Sequence, residues 1–226
     1  MLLIKMMNCH KIFMEVVMIK KHSQRAPGRP KHAKDDPSIR EMIIKTASKR
    51  FMEYGYESVS LLQIAEECQV SKPAIYYHFI SKPELFKVAV TTVLNQVYRH
   101  ISRILQEAEH LEDGLVTVAE ARLTNPHAEI ETMLREAEPF LNEEQLMEIR
   151  QSEHSIYQLL AEHFQTAMDN HVLRVNDPML LAQTFSAMML LGNRKDTLLK
   201  YASNRALAKE VVGIFLRGTS NTGNKN

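Results

Sequence analysis

Apolar positions recur with a helical period along most of this 226-residue chain. Ile39, Ile43, Ala47 and Phe51 are four apart, and Met42 and Ile44 widen the stripe, which predicts an amphipathic helix over about 38–54. Ser38 with Glu41 offers an S-x-x-E capping box at its start, and Gly55 offers a left-handed stop. Leu61, Ile64, Ala65 and Cys68 mark a short helix at about 60–67, opened by a second box, Ser60 with Gln63. Ser71 opens another at about 71–78, with Pro73 in the first turn, where a missing N–H costs nothing. Ser81 with Glu84 opens a long helix at about 82–109.

Helical spacing continues to the end, over about 113–123, 126–137 (from Asn125-Pro126), 142–171 (from Asn142 with Gln145), 178–191 (from Asp177-Pro178 to Gly192) and 203–217. The expected fold class is therefore all-α. No segment shows the period of two and the evenly spaced turns of a sheet protein.

Composition narrows the class. Apolar residues at 45% and charged residues at 24% are ordinary for a soluble globular protein. Two cysteines, Cys9 and Cys68, cannot form a disulfide framework, and the expected compartment is the cytoplasm. Lys5, Lys11 and Glu15 break up the apolar residues 1–19, leaving no run long enough for a signal peptide or a membrane helix. Met14 and Met18 are alternative starts.

Charge changes the picture more. Residues 1–34 carry eight Lys/Arg against one acid, residues 35–100 balance at eight of each, and residues 101–226 carry 12 basic against 18 acidic residues. A basic N-terminal segment on an acidic body points to a polyanionic partner. The expected organisation is an apolar and basic disordered extension over 1–37, a three-helix unit over 38–82, a helical body over 83–218, and a disordered tail over 219–226.

Two short helices joined by about three residues must cross steeply, which is helix-turn-helix geometry. In the second, Ile75 and Phe79 anchor inward with Val70, while Lys72, Tyr76, Tyr77 and His78 point elsewhere. Two adjacent tyrosines cannot face one core. Such residues donate to phosphates and base edges in a major groove. Ser60, Ser71 and Lys82 stand at helix starts, where they add further donors.

From Ile43 to Phe86 the sequence Ala47…Phe51…Gly55-Tyr56…Ser60…Ile64-Ala65…Val70-Ser71-Lys72…Ile75-Tyr76-Tyr77-His78-Phe79…Ser81-Lys82-Pro83-Glu84-Leu85-Phe86 resembles the DNA-binding domain of tetracycline-repressor (TetR) family regulators. The resemblance implies DNA contacts, chiefly to phosphates, at Lys72, Tyr76, Tyr77, His78 and Lys82. Ser60 stands where the family usually has Thr. Ala74 stands where a hydroxyl or amide is common, and offers only a methyl contact. Gln69 stands where the turn often has Gly; if left-handed there, it costs about 1 kcal/mol. Arg29 and Lys31, in Pro27-Gly28-Arg29-Pro30-Lys31, resemble arms that enter an adjacent minor groove.

The resemblance further implies that the body binds a small-molecule effector and pairs with a second copy. Effector candidates are Arg122, His127, Met133, His154, Tyr157 and Phe164, with His163 nearby. Dimer candidates are Met179, Phe185, Met188, Met189, Val212 and Phe215, on helices too apolar all round for one face to meet water. No metal motif, phosphate loop, dinucleotide fingerprint or nucleophile elbow is present, so neither a cofactor nor an enzymatic activity is expected.

The reading at this stage is a homodimeric regulator that binds a palindromic operator in double-stranded DNA and is released by an effector, more as a repressor than an activator. Two alternatives stay open. One is an effector-independent or architectural DNA binder. The other is a helical small-molecule-binding or interaction protein with a vestigial helix-turn-helix.

Overall fold

Local capping chemistry sets where the helices begin. A computed structural model describes residues 37–124 and 130–220, and all its regular elements are helical: α1 Pro37–Tyr54, α2 Leu61–Glu67, α3 Lys72–His78, α4 Lys82–Glu107, α5 Leu111–Thr124, α6 Ile130–Ala137, α7 Glu143–Asp169, α8 Pro178–Met188, α9 Lys195–Leu198 and α10 Asn204–Thr219. Single 3₁₀ turns follow α6 (Glu138–Phe140) and α8 (Met189–Asn193).

Both halves of the capping box form at Ser60/Gln63 and at Asn142/Gln145. Only half forms at Ser81. Its hydroxyl accepts from the Glu84 N–H at 3.2 Å, but the Glu84 carboxylate turns to Gln145 Nε2 (2.9 Å) and Lys87 Nζ (3.1 Å). An ion pair within α4 and a hydrogen bond from α7 outcompete the local bond. Ser38 lies inside the first turn of α1 instead of preceding it.

The helices close over two apolar clusters. The first joins Ile43, Phe51 and Tyr56 to Ile64, Ile75 and Phe79, and continues into Phe86, Val90 and Leu94 of α4, Met133, Leu134 and Ala137 of α6, and Ile149 of α7. The second gathers Leu115 and Leu123 of α5, Phe164 of α7, Phe185 of α8, and Val212 and Phe215 of α10. Within it, Phe164, Phe185 and Phe215 pack as a triad with centroids 5.4–6.2 Å apart. α4 lies against both α1 and α7, so one long helix walls both clusters.

Several expectations change in the second cluster. Phe185, Met189, Val212 and Phe215 are buried inside the chain's own core, not held at a face for a second copy. The outward apolar side chains of these segments are Leu180, Leu190 and Ile214, with Met179 and Met188 half-buried. Gly192 does not cap a helix. It sits within a 3₁₀ turn against α5, where an added Cβ would lie 3.1 Å from the Leu123 Cα. The short helix α9 has no counterpart in the expected set. α10 runs past Gly218, and Thr219 and Ser220 are ordered: the Thr219 carbonyl accepts from Arg174 N at 2.8 Å, and Leu173 bridges Ser220. The Asn125-Pro126 start, the arm residues Arg29 and Lys31, and residues 221–226 lie outside the described residues.

Lys87 links α4 to α7, lying 3.1 Å from Glu84 and 3.0 Å from Glu148. Burial pushes the Glu84 carboxyl up, but hydrogen bonds from Gln145 and Lys87 and the lysine's charge outweigh it and hold the group below its ordinary value. A depressed carboxylate stabilises the fold above its ordinary value of 4.5 and loses that contribution as pH falls through the lowered one. Glu84→Gln should therefore cost up to about 1 kcal/mol at pH 7, since the pair is part-exposed and screened, and less near pH 3, below the ordinary value. Urea unfolding at the two pH values reads this. The backbone offers a second test. Gln69 has φ 55°, so Gln69→Gly should stabilise the chain by about 1 kcal/mol in the same assay.

Candidate nucleic-acid interface

The turn between α2 and α3 fixes how the second helix stands. Cys68 ends α2, and Gln69 then takes the left-handed conformation. Gln69 N donates to the Glu66 carbonyl (3.1 Å) and Val70 N to the Ala65 carbonyl (2.9 Å), a Schellman closure that reverses the chain within two residues. Ser71 then caps α3, accepting from Ala74 N at 3.3 Å, with Pro73 in the first turn.

α3 has a buried back and an open front. Ile75 and Phe79 are fully buried, and the Arg40 guanidinium lies 5.3 Å over the Phe79 ring. Ser71, Lys72 and Pro73 are exposed, as are Tyr76 and Tyr77 at 46% and 54%. Ala74 and His78 are half-buried. The Lys72 ammonium lies 5.8 Å over the Tyr76 ring, and His78 meets Tyr77 edge-on at 5.2 Å. Ser60 is exposed, with its hydroxyl oxygen engaged by Gln63 N at 3.2 Å. The front thus carries an ammonium, phenols and hydroxyls over a rigid apolar anchor. Such groups donate to phosphate oxygens and lie flat against sugars and base edges.

Lys82 is held differently. Its ammonium lies 4.2 Å from the Tyr56 ring centroid and 3.4 Å from the Glu57 carbonyl, and burial pushes its pKa down. One donor is engaged and the other two can turn to an anion.

Residues 43–89 match the bacterial regulatory proteins of the tetR family. Over this segment the chain resembles the tetR family. Over 66 residues it is 42% identical to the helix-turn-helix-type transcriptional regulator YuxN of Bacillus subtilis. That alignment covers 29% of this chain and only 21% of YuxN. Solved structures extend the likeness of fold. A transcriptional regulator from Saccharomonospora viridis, in complex with choline, is 23% identical, with TM-score 0.65 over 82% of this chain and 99% of that one. The regulator FadR of Bacillus subtilis, in complex with stearoyl-CoA, is 16% identical, with TM-score 0.62 over 79% and 98%.

Among the described residues the expected effector residues do not converge. Met133 is buried in the first cluster, beside the helix-turn-helix, and Phe164 in the second. His154 and Tyr157 line an open groove with Met147, Arg150 and Gln183, where the Tyr157 hydroxyl lies 3.4 Å from Glu153 Oε1. Arg122 is half-buried on α5, and His127 lies outside the described residues. A separate cavity of about 500 Å³ opens where α4 ends and α5 begins, lined by Leu105, Glu109, Leu111, His163, Asn170 and Leu216 among others. His163 Nε2 is buried with no hydrogen-bond partner, and burial pushes its pKa down, so the ring is neutral at pH 7. Among the described residues no cluster of His, Cys, Asp or Glu could hold a metal, and no helix is long and apolar enough to cross a membrane.

Sequence reasoning missed the residues that support the interface from behind. Tyr56 is buried under Lys82, and its N–H donates to Glu136 of α6 at 3.1 Å. Gly55-Tyr56 is visible as a motif, but nothing local singles out Glu136. The interface makes one direct prediction. Tyr77→Ala should leave the thermal midpoint within about 2 °C of the parent, because a half-exposed ring adds little to the core. A midpoint shift comparable to that of Ile75→Ala would place Tyr77 in the core instead.

Proposed function

We propose that this chain binds double-stranded DNA sequence-specifically as a homodimer on a palindromic operator, and that a small-molecule effector releases it, making it a repressor. The observation that carries the reading is the two-faced helix α3. Ile75 and Phe79 fix it to the core, while Lys72, Tyr76 and Tyr77 stand outside. Two exposed tyrosines beside a lysine suit a groove with a phosphate wall. Ser60, Ser71, Ala74, His78 and Lys82 extend the same surface, and Arg29 and Lys31 supply the arm.

Pairing of two copies is supported by Leu180, Leu190 and Ile214, large apolar side chains left 42–55% exposed on the last helical segments. Two copies would present two α3 helices to half-sites about one helical turn apart. Effector binding is supported by the fold likeness to proteins solved with choline and with stearoyl-CoA. Coupling of about 1–3 kcal/mol between the two sites would suffice for release. A regulator working on DNA resides in the cytoplasm, and no step here calls for catalysis. The scatter of Met133, His154, Tyr157 and Phe164 favours one second reading, an effector-independent DNA binder.

Titration of a labelled duplex between 50 and 200 mM salt tests the DNA reading. Affinity should fall linearly on logarithmic axes. Lys82→Ala should weaken all sequences alike and lower the slope by about one, the signature of a single lost phosphate contact. A salt-independent affinity, or a Lys82→Ala effect confined to one sequence, would contradict it.

A further inference from the structure

α1 ends at Tyr54, and the chain turns at Gly55, whose φ of 79° is a conformation L side chains rarely adopt. The turn leaves the Tyr56 N–H outside the helix, and Glu136 Oε2 accepts it at 3.1 Å. The two positions constrain each other, since a Cβ on residue 55 would lie 2.7 Å from Glu136 Oε2. Glycine there serves both the left-handed turn and the close approach of the carboxylate.

Glu136 stands in the last turn of α6, where the helix dipole disfavours a carboxylate by about 0.3–1 kcal/mol. A local rule broken in this way calls for a gain elsewhere. The gain is the satisfied Tyr56 N–H, whose acceptor is supplied from 80 positions along the chain. The held segment is also the seat of Lys82, whose ammonium rests on the Tyr56 ring and reaches the Glu57 carbonyl. Phe140, in the turn after α6, meets the same ring at 5.4 Å. α6 and its following turn thus grip residues 55–57 from one side, and the first residue of α4 grips them from the other.

We propose that Glu136 is a positioning residue for DNA binding: by holding the Gly55–Glu57 turn it sets Lys82 at the phosphate backbone, although it touches no DNA itself. This rests on the DNA-binding reading above. What the site needs from Glu136 is a hydrogen-bond acceptor of glutamate's length. Its negative charge is not required.

The test uses the full chain and a duplex that the wild-type protein enriches from a random pool. Glu136→Ala should bind that duplex on the order of tenfold more weakly, the scale of one buried N–H left without a partner. Glu136→Gln keeps the length and the acceptor and should bind within about twofold of wild type. Lys82→Ala placed on Glu136→Ala should add little further loss, since both remove the same grip. Exchange of the Tyr56 amide should accelerate in the alanine variant and stay slow in the glutamine variant. Wild-type affinity in Glu136→Ala, losses that multiply with Lys82→Ala, or a glutamine variant as weak as alanine would each overturn the proposal. Where Glu136→Ala does not fold, Glu136→Asp, one methylene short, should bind more weakly than Glu136→Gln, and equal affinities would overturn it. A wild-type chain that enriches no duplex removes the DNA reading itself, whereas tight wild-type binding with indifferent Glu136 variants removes this inference alone.

Discussion

Phe86 lies edge-on to both Phe51 and Tyr56, with ring centroids 5.0 Å away in each case. These three side chains come from α1, from the turn after it and from α4, so the helix-turn-helix and the long helix share one apolar cluster. Truncating a buried phenylalanine costs about 3–5 kcal/mol, whereas solvent and salt screen a surface ion pair such as Arg50–Glu67. The shared cluster, not the surface charges, therefore decides where α2 and α3 stand. It also means that α1, α2 and α3 do not close their own core. Met133, Leu134 and Ala137 of α6 and Ile149 of α7 complete it.

That dependence carries a functional consequence. A helix-turn-helix whose core is completed by residues of the body can be shifted by the body. α4 forms part of both clusters, and its first residue, Lys82, is also a proposed phosphate contact. Under the proposed function, a ligand bound in the body need only favour one packing of α4 and α6 over another, by a few kcal/mol, to change how two copies of α3 match a DNA repeat. The polar contacts at the junction, Glu84–Lys87–Glu148 and Glu136–Tyr56, add direction to an attachment that the aromatic cluster makes strong.

What the sequence disclosed follows from how far each determinant acts. The boxes at Ser60 and Asn142 span three residues, and both formed as read. The left-handed Gln69 was legible only through the resemblance, in which that turn position often has Gly. The box at Ser81 was half right, since Glu84 found a stronger partner 61 positions away. The apolar surfaces of the last helices were legible as apolar, but their direction was not. Periodicity cannot tell a side chain that meets its own core from one that meets a copy, and Phe185, Val212 and Phe215 turned inward to Phe164 and its neighbours. The effector residues were scattered for the same reason, because a pocket is a long-range property. Glu136 carried no local signal beyond its awkward place at a helix end.

The central claim is that α3, set by the shared cluster, reads a DNA sequence in two symmetric copies. Enrichment of bound duplexes from a random pool at fixed salt tests it most directly. The account predicts recovery of a palindrome whose half-sites lie about one helical turn apart. Recovery of unpaired A·T-rich sequence, or no enrichment at all, would contradict it.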